Sequence, residues 1–201
     1  MTLTTHVLCW IAKALSGSTI RWVNCQPDTA QRIYFANHTS HLDAIVLWSS
    51  LPKEVRAVTR PVAAKDYWTQ GIVRRFIAKQ FNTLLIERDK VRKSDNPIPK
   101  MIQAIGDRES LIIFPEGGRS TGAEVGEFKS GLFHLAKKRR DIEFVPVYIE
   151  NLNRVLPRGE FLPVPLLSSI TIGAPMRLEE NETKTQFLSR ARDAVCSLKE
   201  L

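Results

Sequence analysis

Cysteine is scarce in this 201-residue sequence, and its placement excludes the common cysteine-based frameworks. Cys9, Cys25 and Cys196 are odd in number and far apart, with no C-x-x-C pair and no metal-ligand spacing. The sequence therefore predicts neither a disulfide framework nor a metal site, and a reducing cytoplasm suits it best.

Long hydrophobic runs are missing as well. The apolar stretch at residues 7–15 contains Lys13 and falls short of the roughly 18 apolar residues that a membrane-spanning helix needs. No positive region precedes it, which makes a signal peptide a poor match. Apolar residues at helical spacing instead predict an amphipathic helix in region 1–18, which either packs on the core or lies on a membrane surface.

The rest of the composition is typical of one folded, basic domain. Hydrophobic residues make up 43% of the chain and charged residues 25%, and no repeat or linker divides residues 19–201. The formal net charge of +8 favours an anionic partner: a nucleic acid, an anionic membrane surface or a phosphorylated small molecule.

Strand and helix patterns alternate along this domain. Apolar runs predict strands at 20–23, 32–36, 55–59, 83–87, 111–114, 144–149 and 169–172. Helical spacing predicts helices at 42–51, 65–77, 98–108, 129–140 and 179–198. The alternation indicates a single-domain α/β fold with a mixed, largely parallel sheet flanked by helices.

Polar loops follow three of these strands, at 37–43, from Arg88 onward and at 115–121. Reactive groups of open α/β sheets collect on loops that leave the carboxyl ends of strands. We therefore expect the three loops to contribute to one site.

The first loop carries His38 and Asp43, five positions apart. A turn that runs into the next helix can bring the carboxylate under the imidazole. The carboxylate then fixes the tautomer and leaves the other ring nitrogen free to take a proton from a hydroxyl. Alternatively, Asn37, Ser40 and Asp43 only cap the helix, while His38 and His41 are solvated.

The loop at 115–121 places two glycines beside Arg119. Such a loop lets backbone N–H groups and a guanidinium approach a phosphate, although an ordinary turn has the same composition. Residues 118–122 also match the G-x-S-x-G elbow of serine hydrolases, with Ser120 as the nucleophile. The one downstream histidine, His134, leaves no room for the strands that normally deliver a triad, so we interpret this match as accidental.

Five ordered blocks resemble those of the glycerolipid acyltransferases typified by lysophosphatidic acid acyltransferase. Residues 37–43 (NHTSHLD) resemble the H-x-x-x-x-D motif, and residues 114–120 (FPEGGRS) resemble F-P-E-G-[TG]-R-S. Residues 85–88, 128–131 and 145–147 resemble the family's arginine, F-K-x-G and V-P-V blocks. Gly118 stands where the family more often has threonine, a departure that bears on the acceptor more than on the reaction type.

The resemblance implies a role for each matching residue. His38 would deprotonate the acceptor hydroxyl, with Asp43 as its partner. The residues implied at the acceptor phosphate and in shaping its site are Arg88, Glu116, Gly117, Gly118, Arg119, Ser120 and Lys129. No metal or cofactor is implied, because the acyl donor is a co-substrate, either acyl-coenzyme A or acyl carrier protein.

The implied reaction acylates a lysophospholipid hydroxyl, with 1-acylglycerol 3-phosphate giving phosphatidic acid as the expected case. The chain would act in the cytoplasm, bound peripherally to the inner face of an anionic membrane. Another lyso-lipid, such as one with an amino-acid head group, is an alternative acceptor. Outside acyl transfer, the alternatives are a serine hydrolase using Ser120 and a nucleic-acid-binding domain, which only the net charge favours.

Overall fold

The computed structural model describes residues 2–87, 96–120, 124–150 and 168–200. The strands in these ranges are β1 (Thr19–Trp22), β2 (Arg32–Ala36), β3 (Thr59–Ala64), β4 (Leu84–Ile86), β5 (Ser110–Ile113), β6 (Glu143–Glu150) and β7 (Ser169–Ile172). The α-helices are α1 (Leu3–Ser16), α2 (Asp43–Ser50), α3 (Lys53–Ala57), α4 (Lys65–Trp68), α5 (Ile72–Gln80), α6 (Pro97–Ile105), α7 (Gly131–Lys138) and α8 (Lys184–Ser197). A 3-10 turn at Leu198–Glu200 follows α8.

The described strands form one seven-stranded sheet in the order β1-β7-β6-β2-β5-β3-β4. Only the pair β6 and β7 is antiparallel, and the other neighbours in this sheet run parallel. The predicted α/β class with a mixed, largely parallel sheet is therefore confirmed.

Strand β2 lies in the middle of the sheet and determines where the polar loops meet. Its residue Phe35 pairs with Pro146 of β6 on one side and with Ile113 of β5 on the other. Because β2 and β5 are parallel neighbours, their carboxyl ends lie at the same edge of the sheet. The loops at 37–43 and 115–120 consequently leave the sheet side by side.

The sheet is covered on both faces, which explains why β2 is buried along its whole length. Ile33 and Phe35 join a core cluster on the face that packs against α6, α7 and α8. Tyr34 and Ala36 join a second cluster on the other face, which includes apolar residues of α1 and α2. A strand with two buried faces has an unbroken apolar sequence, as residues 33–36 do.

The structure corrects two predicted elements. Residues 55–59, predicted as a strand, belong mostly to α3, because Pro52 opens a turn whose first bond runs from Arg56 N to Pro52 O (2.8 Å). The helix predicted at 65–77 is divided into α4 and α5 at Gly71. There φ is +79°, a conformation that glycine adopts readily and that interrupts a helix.

Candidate active site

The loop after β2 begins where Asn37 takes the place of a strand residue. Its side-chain Nδ2 donates to Ile149 O (2.9 Å), and its Oδ1 accepts from Ile149 N (2.7 Å). The side chain thus satisfies the backbone of β6 while the main chain leaves the sheet. His38 is thereby placed just above the carboxyl edge.

Asp43, the first residue of α2, lies directly beneath His38. Its side chain is completely buried, and its Oδ2 accepts from His38 Nδ1 (2.8 Å), Thr39 N (2.7 Å) and Ser40 N (2.9 Å). The turn is closed by a bond from Asp43 N to Ser40 O (3.2 Å). Two residues that could not share a helix face therefore meet, as the spacing of the motif allows.

The geometry does not favour the alternative in which Asn37, Ser40 and Asp43 only cap α2. The N-cap position belongs to Leu42, which makes no side-chain cap bond. The Asp43 carboxylate instead binds the imidazole and two loop amides. Since an ionised carboxylate accepts the proton of Nδ1, the second nitrogen, Nε2, is the one left for chemistry.

The His38 ring is also held by Phe114, the residue that follows β5. The two rings stack with centroids 4.3 Å apart and planes 25° from parallel. With one face packed in this way, the imidazole retains 20% exposure and lines a cavity of about 660 Å³.

Glu116 fixes the main chain of the histidine and is not among the residues that line the cavity. Its Oε1 accepts from His38 N (2.8 Å) and its Oε2 from Gly126 N (3.1 Å). Ser120 N donates to His38 O (2.8 Å), so both backbone groups of His38 are bound to the neighbouring loop. Burial raises the pKa of Glu116, and the two N–H donors oppose that rise.

Replacing Glu116 by glutamine is expected to cost about 1 to 3 kcal/mol of stability, because the amide must turn an N–H toward one of two buried backbone donors. We also expect turnover to fall about tenfold as the His38 main chain shifts. Urea denaturation and the turnover rate measure the two effects. Glu127, an exposed carboxylate nearby, supplies the control: Glu127→Gln should change neither quantity.

The cationic part of the cavity wall is built on the loop after β5 and the start of α7. Gly117, Gly118, Arg119 and Lys129 line it together with His38. Gly117 has φ of +69°, and a Cβ there would lie 2.6 Å from Lys129 Nζ. Only glycine thus lets the lysine side chain lie across the loop.

The cavity wall also has an apolar part. It includes Val62, Ile86, Ile98, Met101, Leu132 and Leu135, from β3, β4, α6 and α7, while Asp66 and Glu87 add carboxylates to the lining. The cationic residues beside His38 suit an anion, and the apolar residues suit a hydrocarbon chain.

Two further residues predicted for the site are Arg88 and Ser120. Arg88 lies outside the described residues. The Ser120 hydroxyl is buried and has no hydrogen-bond partner among the described residues, so no histidine contacts it as a general base there. This arrangement disfavours the hydrolase alternative.

The sequence motifs did not indicate His41 or His134 as parts of the cavity wall, yet both line it. His41 stacks on Tyr67 of α4, with ring centroids 4.0 Å apart and planes 9° from parallel. No spacing in the sequence connects His41 with His134. Their imidazole side chains were the only feature of the sequence that could have indicated a place in the cavity wall.

A comparison with protein-family models places this architecture among known proteins. The model described as Acyltransferase matches residues 23–150, which contain the loops of His38, Glu116 and Lys129. This chain belongs to the acyltransferase family. The predicted resemblance to glycerolipid acyltransferases is thereby confirmed.

Curated relatives of this acyltransferase-family chain include bacterial proteins. A probable 1-acyl-sn-glycerol-3-phosphate acyltransferase from Mycoplasma pneumoniae is 30% identical over 116 residues, covering 56% of this chain and 40% of the relative. The 1-acyl-sn-glycerol-3-phosphate acyltransferase of Escherichia coli is 28% identical over 151 residues, 66% of this chain and 57% of the relative. The chain spans about half the length of such relatives.

Among solved structures, the fold is similar to that of the 1-acyl-sn-glycerophosphate (LPA) acyltransferase PlsC from Thermotoga maritima. The TM-score is 0.74 at 17% identity, with 98% of this chain and 78% of that chain covered. The two chains share a fold. Within the parts of our chain that the structure describes, no helix is both long enough and apolar enough to cross a membrane.

Proposed function

We propose that this acyltransferase-family chain transfers a fatty acyl group from an acyl thioester to the hydroxyl of a lysophospholipid. The observation that carries the proposal is the hydrogen bond between His38 Nδ1 and the buried Asp43, at the wall of a cavity with a cationic and an apolar part. A base beside an anion site and a hydrocarbon site matches the three parts of a lysophospholipid: its hydroxyl, its phosphate and its chain.

In the proposed reaction His38 Nε2 accepts the proton of the acceptor hydroxyl as its oxygen attacks the thioester carbonyl. The new ester C–O bond forms, the C–S bond breaks, and the leaving thiolate takes the proton from the imidazolium. Asp43 stabilises the imidazolium while it exists. Because a thioester is already activated, no enzyme nucleophile is required, which agrees with the unpartnered Ser120 hydroxyl.

The proposed acceptor is 1-acylglycerol 3-phosphate, with phosphatidic acid as the product. The names of the bacterial relatives support this choice, and so do the cations of Arg119 and Lys129 at the cavity. The proposed donor is acyl-coenzyme A or acyl carrier protein. We further propose that the chain is held peripherally at the cytoplasmic face of an anionic membrane, through α1 and its basic surfaces.

The test is an acyl-transfer assay in which both donors are crossed with lyso-lipids that differ in head group. We expect the highest kcat/KM with 1-acylglycerol 3-phosphate, and a rate about 10² to 10⁴-fold lower with the His38→Ala protein. A preference for an amino-acid-headed lyso-lipid would replace the proposed acceptor. Labelling of Ser120 by a fluorophosphonate, together with release of free fatty acid, would contradict acyl transfer and favour a serine hydrolase that uses Ser120.

Replacing Lys129 by glutamine should raise the KM for 1-acylglycerol 3-phosphate about tenfold or more, because a charge-assisted bond to the phosphate is lost. The KM for a lyso-lipid without a phosphate should not change. The matched control is Lys137→Gln, which removes the same charge from an exposed position of α7. An equal rise in KM for both acceptors would contradict the assignment of Lys129 to the phosphate.

A further inference from the structure

Exposed apolar side chains are concentrated on two helices. Among the described residues, every large hydrophobic side chain that is exposed belongs to α1 or α5: Leu3, Val7, Trp10, Ile11, Leu15, Ile72, Val73 and Phe76. We call these eight side chains the apolar face. Ile72 of α5 is the most exposed of them at 87%, followed by Leu3 at 81%, Trp10 at 72% and Val73 at 70%. Clustered exposed apolar side chains mark an interaction site.

The two helices that carry the apolar face are joined to each other. Gln80, the last residue of α5, accepts hydrogen bonds at Oε1 from the hydroxyls of Thr2 (3.1 Å) and Thr5 (3.0 Å). The start of α1 therefore lies against the end of α5. The apolar face is thus carried by two helices that contact each other.

The charges on this surface have one sign. Arg74, Arg75 and Lys79 lie on α5 and Lys13 on α1, and neither helix contains an aspartate or glutamate. Apolar side chains among cations, with no carboxylates, are complementary to an anionic lipid bilayer. Trp10, an amphipathic ring on the same surface, suits the level of the head groups.

The apolar face adjoins the mouth of the cavity through a stack of three groups. Helix α4, whose Tyr67 and Trp68 line the cavity, directly precedes α5. The Arg74 guanidinium lies 4.1 Å from the Tyr67 ring, and His41 stacks 4.0 Å from it. Since two groups at this distance cannot share one ring face, Arg74 and His41 cover opposite faces of Tyr67. Helix α5 is thus tied to the loop that carries His38.

We propose that α5 inserts Ile72, Val73 and Phe76 into the head-group boundary of an anionic bilayer, next to α1. This contact holds the mouth of the cavity at the lipid surface, from which a lyso-lipid enters. The identity of that lipid rests on the proposed function. The membrane contact of α5 stands on the exposed residues themselves.

The test is vesicle flotation of the whole chain with phosphatidylglycerol-containing and with pure phosphatidylcholine vesicles. The I72S/V73S/F76S variant should bind anionic vesicles at least tenfold more weakly than the wild type. The I72L/V73L/F76L variant, which keeps the apolar surface, should bind as the wild type does. Both should keep the wild-type melting temperature, since the three side chains are exposed. Wild-type binding by the serine variant would overturn the proposal.

An activity measurement separates this proposal from the proposed function. The serine variant should lose at least tenfold in rate with an acceptor embedded in vesicles, and nothing with a short-chain acceptor in free solution. Flotation uses no substrate, so a chain that binds vesicles but transfers no acyl group would refute only the proposed function. Normal flotation with a loss of activity confined to the carrier-protein donor would assign the surface to that acidic protein instead.

A second, independent observation concerns α8, which lies outside the matched family region. Arg192 Nη2 and Nε donate to Val125 O (2.7 and 3.0 Å), and Nε also approaches Gly126 O (3.3 Å). The amide of Gly126 donates in turn to Glu116, whose other oxygen accepts from His38 N. A continuous series of hydrogen bonds thus connects α8 with the backbone of His38.

We infer that Arg192 is a positioning residue for the proposed base, acting through Gly126 and Glu116. The Gly126 amide is bound directly to Glu116 Oε2 (3.1 Å), and a Cβ at Gly126 would lie 2.7 Å from the same oxygen. A shift of Gly126 must therefore move the Glu116 carboxylate and, with it, His38.

Steady-state kinetics of Arg192→Gln test this role. We expect kcat to fall about tenfold to a hundredfold with both KM values unchanged, and Arg192→Lys to restore part of the loss. The matched control is Arg190→Gln on the same helix, which breaks the pair with Glu182 (2.7 Å) and should lower the melting temperature without changing kcat. Gly126→Ala should reproduce the kcat defect. An unchanged kcat in Arg192→Gln would overturn the inference.

Discussion

Replacing His38 by alanine is expected to lower the rate of acyl transfer by about 10² to 10⁴-fold, the range that a positioned general base contributes. The proton of the acceptor hydroxyl then has no acceptor at the required place. The fold should survive, because Asp43 keeps its bonds from Thr39 N and Ser40 N, and the backbone at position 38 keeps its bond to Glu116. The loss should appear in kcat, with little change in the acceptor KM.

Two other histidines serve as controls for this variant. His6 is exposed on α1, and His6→Ala should transfer acyl groups at the wild-type rate in free solution. His41 stacks on Tyr67, whereas the imidazole bound to Asp43 Oδ2 is that of His38, so His41→Ala should lose much less activity than His38→Ala. A wild-type rate for purified His38→Ala, with an unchanged melting temperature, would rule out the proposed mechanism.

Replacing Asp43 by asparagine should lower kcat by about 10³-fold or more while preserving the shape of the loop. The amide is neutral and cannot stabilise an imidazolium, and it no longer favours the tautomer with the proton on Nδ1. The pH dependence of kcat should also change, because the charge next to His38 is removed. Rates measured from pH 5 to pH 9 on both proteins provide the test.

Asp43→Ala separates the structural contribution of the carboxylate from its chemical one. The variant leaves two backbone N–H groups without an acceptor, that of Ser40, which is buried, and that of Thr39, which is half-buried, and the buried one costs about 1 to 3 kcal/mol. We therefore expect a lower midpoint of urea denaturation for Asp43→Ala than for His38→Ala, at a similar loss of activity. Equal stability of the two variants would show that Asp43 does not hold this loop together.

The part of the site next to β2 could be predicted because its determinants are local. Residues 33–36 are apolar on both faces, which indicates a central strand, and the motif that follows it places His38 and Asp43 five positions apart. What the spacing left open was whether the carboxylate caps α2 or binds the imidazole. The answer depends on the turn that is closed by the bond from Asp43 N to Ser40 O, and the amino-acid sequence alone does not determine the geometry of this turn.

The apolar part of the cavity could not be predicted from the sequence because it is assembled from distant segments. This part joins β3 and β4 to α6 and α7, and no periodicity indicates which side chains face inward together. The break at Gly71 was missed for a related reason. Apolar spacing continues across it, whereas only the positive φ of that residue divides α4 from α5 and exposes Ile72.

The way in which His38 is held has a consequence for the entropy of the reaction. Its amide is bound to Glu116, its carbonyl to Ser120 N, its Nδ1 to Asp43, and one ring face to Phe114. The backbone and rotamer freedom of the residue are therefore lost once, when the chain folds. Each turnover then begins with an imidazole that is already immobilised, so ordering the proposed base adds no term to the activation barrier.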